Sequence, residues 1–443
     1  MIRFGKRYGA LALACAGLFA AQEIHASAMD YSFVVVGCNR LNDVDTAGSA
    51  STANLPALNR LFKELSERDP LPDYLFFAGD LVLGYTKDTV ELERQLTQWV
   101  KVYKASPLAG KTTKLVVIPG NHETQDKKAG KKSFAAAERT WLRVMDPYIA
   151  GNNGPGVDST HGDSLSTDQS RLTYSLDFNG DHFVLIDTDP VGRDWRVPYI
   201  WIRADIDSAH KKGARHIFAI GHKPAYPGPA TPTDGLAQYP ANRDSFWTAL
   251  EDNHVEAMIA SHVHSWQKIQ PHSGKTWQII AGNGGSQWDS IWVEYQKPAS
   301  TYQGYTLVKV SGASVKVESW GHDVDNARYF DSLPNVPTTM KDSVDITWGS
   351  MTTEVRQKLT SVSGFSMARS GGSLVVAFNG SGEAAPRAEI VGMDGRRVQD
   401  ASFRKVGSTG SMASLDLGRL VPGSYALNLS VAGRLESHAI VVR

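Results

Sequence analysis

A short apolar strand that ends in a cluster of polar side chains is the feature of this sequence that most constrains its fold. Residues 115–119 are apolar and rich in valine and isoleucine, which predicts a buried strand. Gly120 ends this strand, and Asn121, His122 and Glu123 follow at once. In open α/β sheets, ligands bind just beyond the carboxyl ends of the strands. The segment therefore predicts a functional site at a strand end of an α/β fold.

The same pattern recurs along the chain, with amphipathic helices between the first strands. This alternation predicts right-handed crossovers and a sheet that is covered on both faces. The predicted strands lie at 31–37, 74–78, 216–220, 255–260 and 277–281, the predicted helices at 53–67, 88–105 and 133–149, and the predicted hairpins at 172–187 and 305–320.

Polar residues with metal-binding side chains follow these predicted strands. Asp80, Asn121, His222, His262 and His264 each come directly after a strand. Each one alone has an ordinary structural explanation, such as a turn or a rim position. Together they predict a metal site at one edge of one sheet. Imidazole, carboxylate and amide donors suit Zn, Mn or Fe, and a pair of such ions about 3.5–4 Å apart is the usual device for attack at phosphorus.

Composition and the first residues indicate an exported protein without a nucleic-acid surface. A basic start, an apolar run too short to span a bilayer and the small residues at 26–28 predict a cleaved leader at 1–28. Its removal changes the count of basic and acidic residues from 46 and 46 to 43 and 45, a net charge of −2. Cys38 is then the single remaining cysteine, which excludes an intramolecular disulfide. The predicted localisation is secreted: periplasm, cell surface or extracellular.

The order of four motifs resembles the calcineurin-like metallophosphoesterases over residues 30–322. The motifs are Gly79-Asp80, Gly120-Asn121-His122-Glu123, Gly221-His222 and Ser261-His262-Val263-His264. The resemblance implies an α/β (α+β) fold, a β-sandwich of two sheets flanked by helices, with a two-metal site at one edge. It also implies the hydrolysis of phosphate monoesters or diesters, with a phosphorylated small molecule as the substrate.

The resemblance further implies a role for each matching residue. Asp80 would bridge the two metal ions, and Asn121, His222 and His262 would complete one of them. His264 would serve the other ion. His122 resembles the family residue that protonates the leaving oxygen or holds the phosphate. Together with His122, Asn39 and Arg40 are predicted to bind the substrate.

The sequence departs from the family at the first motif, where the family carries Asp-x-His and this chain has Cys38 and Arg40. Three interpretations follow. Cys38 is a thiolate ligand of the metal, or a small buried residue without that role. Alternatively, the site holds one metal ion and Arg40 occupies the place of the second, since a guanidinium binds phosphate oxygens. In the third interpretation the protein binds a phosphorylated ligand without hydrolysing it.

A change of character near residue 365 predicts a second domain. Residues 331–364 are rich in Ser, Thr and Pro and are predicted to be a linker after a metallophosphoesterase domain at 29–330. Short alternating strands at 365–443 predict a small all-β sandwich. Its Leu420-Val421-Pro422-Gly423-Ser424-Tyr425 segment and its apolar last strand resemble the sorting domains of the type IX secretion system, which implies the secretion machinery as a partner.

These observations predict an exported, metal-dependent phosphoric ester hydrolase with one or two divalent or trivalent ions and an atypical first metal motif. Two alternatives belong to other functional classes. One is a catalytically inactive protein that binds a phosphorylated ligand on the same scaffold, and the other is an adhesin-like surface protein. The loop at 224–243 directly follows His222 and is predicted to form the rim of the site.

Overall fold

A computed structural model describes most of the chain. The described residues are 30–41, 51–157, 162–227, 234–272, 274–287, 302–324, 336–348, 365–370, 373–379, 385–392, 397–406, 410–421, 423–431 and 434–442. The predicted leader and most of the predicted linker lie outside these residues.

Two six-stranded mixed sheets form the first part of the fold. The first sheet has the strand order β14-β13-β12-β1-β2-β3, and its strands are β1 (Tyr31–Val36), β2 (Tyr74–Ala78), β3 (Lys114–Ile118), β12 (Gln303–Ser311), β13 (Ser314–His322) and β14 (Thr339–Asp345). The second sheet has the order β10-β11-β9-β8-β7-β6, and its strands are β6 (Tyr174–Phe178), β7 (Asp181–Ile186), β8 (Ile217–Gly221), β9 (Ala257–Ala260), β10 (Trp266–Ile269) and β11 (Trp277–Ala281). A separate two-stranded hairpin consists of β4 (Gln125–Asp126) and β5 (Lys132–Ser133).

The strands that carry the site are parallel within each sheet. β1, β2 and β3 run parallel to one another, and so do β7, β8 and β9. Their carboxyl ends therefore lie at one edge of each sheet, where polar side chains can gather without interrupting the core.

The core lies between the two sheets and is rich in aromatic side chains. Phe33 of β1 contacts Phe183 and Phe218 of the second sheet, each with ring centroids 5.1 Å apart. Phe33 also contacts Phe76 of the neighbouring strand at 5.7 Å in an edge-to-face arrangement. Such pairs add to the stabilisation that comes from burying their apolar surface. This aromatic cluster fixes how one sheet sits on the other.

Helices cover the outer faces of both sheets. The helices are α1 (Leu55–Ser66), α2 (Thr89–Ala105), α3 (Asn121–Thr124), α4 (Ala135–Met145), α5 (Tyr199–Lys211) and α6 (Pro240–Asp252). α1, α2 and α4 pack on the first sheet through residues such as Leu61, Trp99 and Trp141. α5 and α6 pack on the second sheet through residues such as Ile202 and Phe246.

Most of the predicted elements are present within a few residues of their predicted bounds. The strands that precede the metal-binding residues, the three predicted helices and both hairpins are confirmed. α5 and α6 were not predicted. Their sequences carry many charged and small residues, so their apolar faces are less evident than those of α1 and α2.

The prediction that one sheet supplies the whole site is wrong. Asp80 and Asn121 follow strands of the first sheet, whereas His222 and His262 follow strands of the second. Hydrophobic periodicity identifies a buried strand but carries no information about which sheet the strand joins. The two-sheet sandwich that the family resemblance implies is what the structure shows.

The segment 331–364, predicted to be a linker with little structure of its own, contains the strand β14. This strand pairs antiparallel with β13, and Val344 of β14 is buried in the core between the sheets. Most of its other side chains are exposed or partly exposed, so the strand lacks a strong apolar pattern. Pairing with β13, not its own sequence, makes this segment a strand.

The predicted all-β sandwich is present in the last part of the chain. Two four-stranded sheets, in the orders β15-β16-β20-β19 and β18-β17-β21-β22, share one apolar core. Their strands are β15 (Phe365–Ser370), β16 (Ser373–Asn379), β17 (Arg387–Gly392), β18 (Arg397–Ser402), β19 (Arg404–Val406), β20 (Gly410–Asp416), β21 (Gly423–Val431) and β22 (Arg434–Val442).

Within the part of the chain that the structure describes, no helix has both the length and the apolar character needed to cross a bilayer.

We expect the substitution Phe33→Ala to lower the free energy of unfolding by about 3–5 kcal/mol, because it removes a buried ring that contacts both sheets. Urea denaturation followed by tryptophan fluorescence measures this. All 11 tryptophans precede residue 349, so the signal reports on this domain and not on the C-terminal sandwich. Val90→Ala is the control, since Val90 is 75% exposed and should change the free energy by less than about 0.5 kcal/mol. Equal stabilities for the two variants would contradict the packing described.

Candidate metal centre

Seven side chains predicted from the sequence gather at one edge of the sandwich. The first sheet contributes residues that follow β1, β2 and β3, and the second contributes residues that follow β8 and β9. In chain order, they are Cys38, Asp80, Asn121, His122, His222, His262 and His264. All are buried except His262, which is partly exposed.

Asp80 lies at the centre of this group. Its Oδ1 is 3.1 Å from Nε2 of His222 and accepts a hydrogen bond from the backbone N–H of His122 at 3.2 Å. Its Oδ2 is 3.6 Å from Nε of Arg40. Burial favours the protonated acid, but His222, His122 and Arg40 outweigh it and hold the pKa of Asp80 well below its usual range. Asp80 is therefore a buried carboxylate that joins side chains of both sheets.

Three of these residues, each just past the end of a strand, have backbone dihedral angles in the left-handed region. The φ angles of Cys38, Asp80 and His262 are 60°, 56° and 64°. This conformation is uncommon for residues other than glycine and costs roughly 1–3 kcal/mol each where the surroundings enforce it. Gly120 makes room for the turn, since a Cβ at that position would lie 2.4 Å from Oδ1 of Asp80.

Four donor atoms, one of them from Asp80 itself, lie close together. Atoms of Asp80, His222 and His262 all lie within 4.8 Å of one another. Nε2 of His222 is 2.9 Å from Oδ1 of Asn121 and 3.2 Å from Nδ1 of His262. Donors that share one ion at about 2.1 Å are themselves separated by about 3 Å. The spacing and the mixture of carboxylate, amide and imidazole donors fit a borderline divalent ion such as Zn or Mn.

Outer contacts set the orientation of these donors. Nδ1 of His222 donates to the carbonyl oxygen of Ala78 at 2.8 Å, which leaves Nε2 to face the other donors. Nε2 of His262 is 3.1 Å from Oδ1 of Asp234, so its Nδ1 faces His222. Hydrogen bonds of this kind fix the tautomer and the ring orientation of metal-binding histidines.

Two of these outer groups were not predicted as contacts. Asp234 lies in the loop that was predicted to form the rim, but nothing in the sequence indicates that it reaches His262. The hydroxyl of Tyr85 accepts a hydrogen bond from Nδ2 of Asn121, which turns Oδ1 of Asn121 toward His222. Tyr85 follows the Gly79-Asp80 motif closely, and that proximity was the available signal.

Glu123 is a structural member of the Asn-His-Glu motif. Its carboxylate accepts hydrogen bonds from the backbone N–H groups of Asp80, Leu81, Val82 and Gly120 at 2.8–3.1 Å. Burial and the charge of Asp80 raise the pKa of Glu123 to about 7, although these N–H groups oppose the shift. Glu123 thus holds together the two turns that carry Asp80 and Asn121.

The ring of His122 faces Oδ2 of Asp80, whereas the ring of His222 faces Oδ1. Nδ1 of His122 donates to the carbonyl oxygen of Leu83, and its Nε2 is 3.9 Å from Oδ2 of Asp80. The ring of Tyr85 packs against His122 with centroids 3.8 Å apart. Burial and the charge of Arg40 lower the pKa of His122 well below its usual range, which favours the neutral ring.

A second group of donors lies on the side of Arg40. Cys38, Asp80 and His264 each offer one atom, and these atoms lie within 4.8 Å of one another. The backbone N–H of His262 donates to Sγ of Cys38 at 3.1 Å. Burial and the charge of Asp80 raise the pKa of the Cys38 thiol, whereas burial and the charge of Arg40 lower the pKa of His264 to about 3. Each shift favours the neutral form of the group.

The contacts of Asn39 do not support the prediction that it binds the substrate. Its Nδ2 donates to the carbonyl oxygens of Gly284 and Asn54 at 2.8 and 3.3 Å, and the residue is fully buried. Its proximity to Cys38 and Arg40 in the sequence suggested a site role. In the structure its side chain points into the backbone behind the site and stabilises the neighbouring Gly-rich turn.

A comparison with family models gives one match for this region. The model described as "Calcineurin-like phosphoesterase" matches residues 25–266, a segment that holds all seven of the gathered side chains.

Two curated plant proteins from Arabidopsis thaliana are similar in sequence. Purple acid phosphatase 21 is 24% identical over 248 residues, which cover 54% of this chain and 49% of that protein. The protein named "Probable inactive purple acid phosphatase 9" is 26% identical over 204 residues, covering 42% of this chain and 30% of that protein. The chain thus spans about half the length, or less, of these curated relatives.

A solved structure of a purple acid phosphatase, PPD1 from seeds of yellow lupin (Lupinus luteus), is also similar. It superposes with a TM-score of 0.48 at 15% sequence identity, and the match covers 72% of this chain and 54% of that one.

We expect Asp234→Ala to weaken metal binding by about 10–100-fold, because His262 then loses the carboxylate that orients its ring. Isothermal titration of the metal-free protein with Zn²⁺ measures the affinity. Asp207→Ala is the matched control, since Asp207 pairs with Lys211 on the surface of α5 at 2.6 Å and lies in no donor group. Unchanged affinity in the Asp234 variant would show that His262 does not need this contact.

Proposed function

Since the chain belongs to the calcineurin-like phosphoesterase family, we propose that it is a metal-dependent hydrolase of phosphate monoesters or diesters. The observation that carries this proposal is the group of four donors, Asp80, Asn121, His222 and His262, with Nε2 of His222 2.9–3.2 Å from an atom of each of the other three. Two neighbouring cationic or polar side chains, Arg40 and His122, face the same carboxylate.

The proposed metal ion binds among these four donors. When bound, such an ion lowers the pKa of a water molecule and neutralises charge on a phosphoryl group. We assign Asp80, Asn121, His222 and His262 as the ligands of this ion. Asp234 and the carbonyl oxygen of Ala78 hold the two imidazoles in the required orientation.

His122 and Arg40 act on the substrate in this proposal. Nδ1 of His122 is occupied by the carbonyl oxygen of Leu83, so its Nε2 is the atom that faces the site. A neutral ring accepts a hydrogen bond there, and a doubly protonated ring donates one to a phosphoryl or leaving oxygen. The guanidinium of Arg40 is 13% exposed and binds phosphoryl oxygens through its N–H groups.

A second candidate function is the binding of a phosphorylated ligand without hydrolysis. The departure at Cys38 and Arg40 favours it, because the second group of donors then lacks the carboxylate and imidazole that the family resemblance implies. The group of Asp80, Asn121, His222 and His262 favours hydrolysis, because it contains every donor that the family resemblance implies for one ion.

We also propose that the protein is exported and that its C-terminal sandwich is a sorting domain. The basic and apolar character of residues 1–28 supports export. The eight strands of the C-terminal sheets, which end in an apolar strand with Ile440 and Val442 buried, are compatible with a sorting domain. Fractionation of cells that express the full chain, compared with a chain truncated after residue 364, tests this. Equal distribution of the two chains would contradict the sorting role.

We expect the purified chain, supplied with Zn²⁺, Mn²⁺ or Fe²⁺, to hydrolyse p-nitrophenyl phosphate or bis(p-nitrophenyl) phosphate. His122→Ala should reduce kcat by about 10²–10⁴-fold, the range for loss of a group that transfers or holds a proton. Asp80→Ala should abolish both activity and metal binding, because it removes the central donor. Release of p-nitrophenol, followed by absorbance, and metal analysis measure these effects.

The matched control is Arg143→Ala, which removes an exposed guanidinium that pairs with Glu93 on neighbouring helices at 2.7 Å. Its activity should equal that of the wild type. Activity that survives in both the His122 and the Asp80 variants would place the hydrolysis elsewhere. Absence of activity in a metal-loaded wild type would favour the binding protein.

A further inference from the structure

The guanidinium of Arg40 lies among the donors of the second group, Cys38, Asp80 and His264. Its Nε is 3.6 Å from Oδ2 of Asp80, and its Nη2 is 3.4 Å from Nε2 of His264. Cys38, Asp80 and His264 each offer one donor atom, and these atoms lie within 4.8 Å of one another. Arg40 thus lies beside two of the three residues that would bind an ion at this position.

The hydrogen bonds of His264 show that its ring faces a cation. Nδ1 of His264 lies 2.7 Å from the carbonyl oxygen of Gln287, which can only accept, so Nδ1 carries a hydrogen. In the neutral ring, Nε2 then carries the lone pair that points at Arg40. The guanidinium has only donors, so it satisfies the same lone pair that a metal ion would use.

Backbone contacts hold Arg40 in this place. Its N–H donates to the carbonyl oxygen of Asp80 at 3.1 Å, and its own carbonyl oxygen accepts from Oγ of Ser286 at 2.9 Å. Arg40 also forms an isolated antiparallel bridge with Ala53. The backbone of Arg40 is therefore fixed within the site, and Arg40 is not a loosely attached surface residue.

A guanidinium and a second metal ion do not fit this position together. Arginine stays charged in proteins, and a divalent ion held by Asp80 and His264 would lie beside its two nitrogens in a buried site, where like charges repel strongly. The remaining donor, Cys38, accepts a hydrogen bond from the backbone of His262 and offers one atom. The two-ion centre that the family resemblance implies therefore does not match the residues on this side.

We propose that Arg40 takes the place of the second metal ion, so that the protein binds one ion per chain, at Asp80, Asn121, His222 and His262. The inference rests on the proposed function and specifies its substrate site: a phosphoryl group bound between this ion and the Arg40 guanidinium. Arg40 supplies positive charge and planar N–H donors for two oxygens of that group. It cannot activate a water molecule, so that task belongs to the single ion alone.

The first test counts metal ions. The wild-type chain, loaded with Co²⁺ and freed of excess metal by gel filtration, should hold one ion per chain by mass spectrometry. Cys38→Asp combined with Arg40→His introduces the carboxylate and imidazole donors of the family motif, and this double variant should hold two. Arg143→His, which places a histidine on an exposed helix, is the control and should hold one ion. Circular dichroism establishes that each variant is folded.

The second test uses a spectroscopic signal and does not depend on the double variant. Arg40→Ala leaves Cys38, Asp80 and His264 in place, and Co²⁺ bound to a thiolate gives an intense charge-transfer absorption in the near ultraviolet. We expect this band in the Arg40→Ala protein and not in the wild type. When both proteins are loaded with one ion per chain, the variant should also bind inorganic phosphate at least about 10-fold more weakly than the wild type, since it loses a charge-assisted contact.

Two outcomes would overturn the inference. One is a wild type that holds two ions and shows the thiolate band, with both features lost in Cys38→Ser; this would make Cys38 a ligand. The other is a folded double variant that still holds one ion, which would mean that Arg40 is not what excludes the second. Hydrolysis of p-nitrophenyl phosphate is scored separately: activity with two ions retains the proposed function without the inference, and one ion without activity retains the inference without hydrolysis.

Discussion

The contacts of the buried Asp80 carboxylate hold the site together. Asp80 is 1% exposed, and an unpaired carboxylate at that depth would be strongly unfavourable. His222 from the second sheet and Arg40 from the first contact its two oxygens. The carboxylate of Glu123 accepts hydrogen bonds from three backbone N–H groups of the turn that carries Asp80, and from that of Gly120 in the neighbouring turn. Much of the surrounding geometry therefore follows from keeping one negative charge at the junction of two sheets.

The sequence predicted which strands end in the polar side chains that gather at the candidate site, because a buried strand and its terminating glycine are local features. It did not predict which sheet each strand joins, since that depends on contacts between distant segments. For the same reason Asp234 and Tyr85 were not recognised as partners of His262 and Asn121. Asn39 is a different case: its place in the first motif predicts substrate binding, whereas its Nδ2 donates to the backbone carbonyl oxygens of Gly284 and Asn54.

The departure at the first motif is where sequence and structure complement each other most. From the sequence, Cys38 and Arg40 allowed a thiolate ligand, a guanidinium in place of an ion, or an inactive site. The structure adds the distances from Arg40 to Asp80 and to His264, which no spacing along the chain contains. The position of the Arg40 guanidinium supports the interpretation in which it replaces an ion, and the backbone of Arg40 is held by the bridge to Ala53 and by the carbonyl oxygen of Asp80.

The division of the donors between two sheets has a consequence for how such a protein changes over evolutionary time. Asp80 and Arg40 move with one sheet and His222 and His262 with the other, and the sheets meet through the rings of Phe33, Phe183 and Phe218. A change in the volume of one of these rings shifts one sheet against the other. Substitutions in an apolar layer remote from any polar group are thus a route by which reactivity can be adjusted while every donor residue is retained.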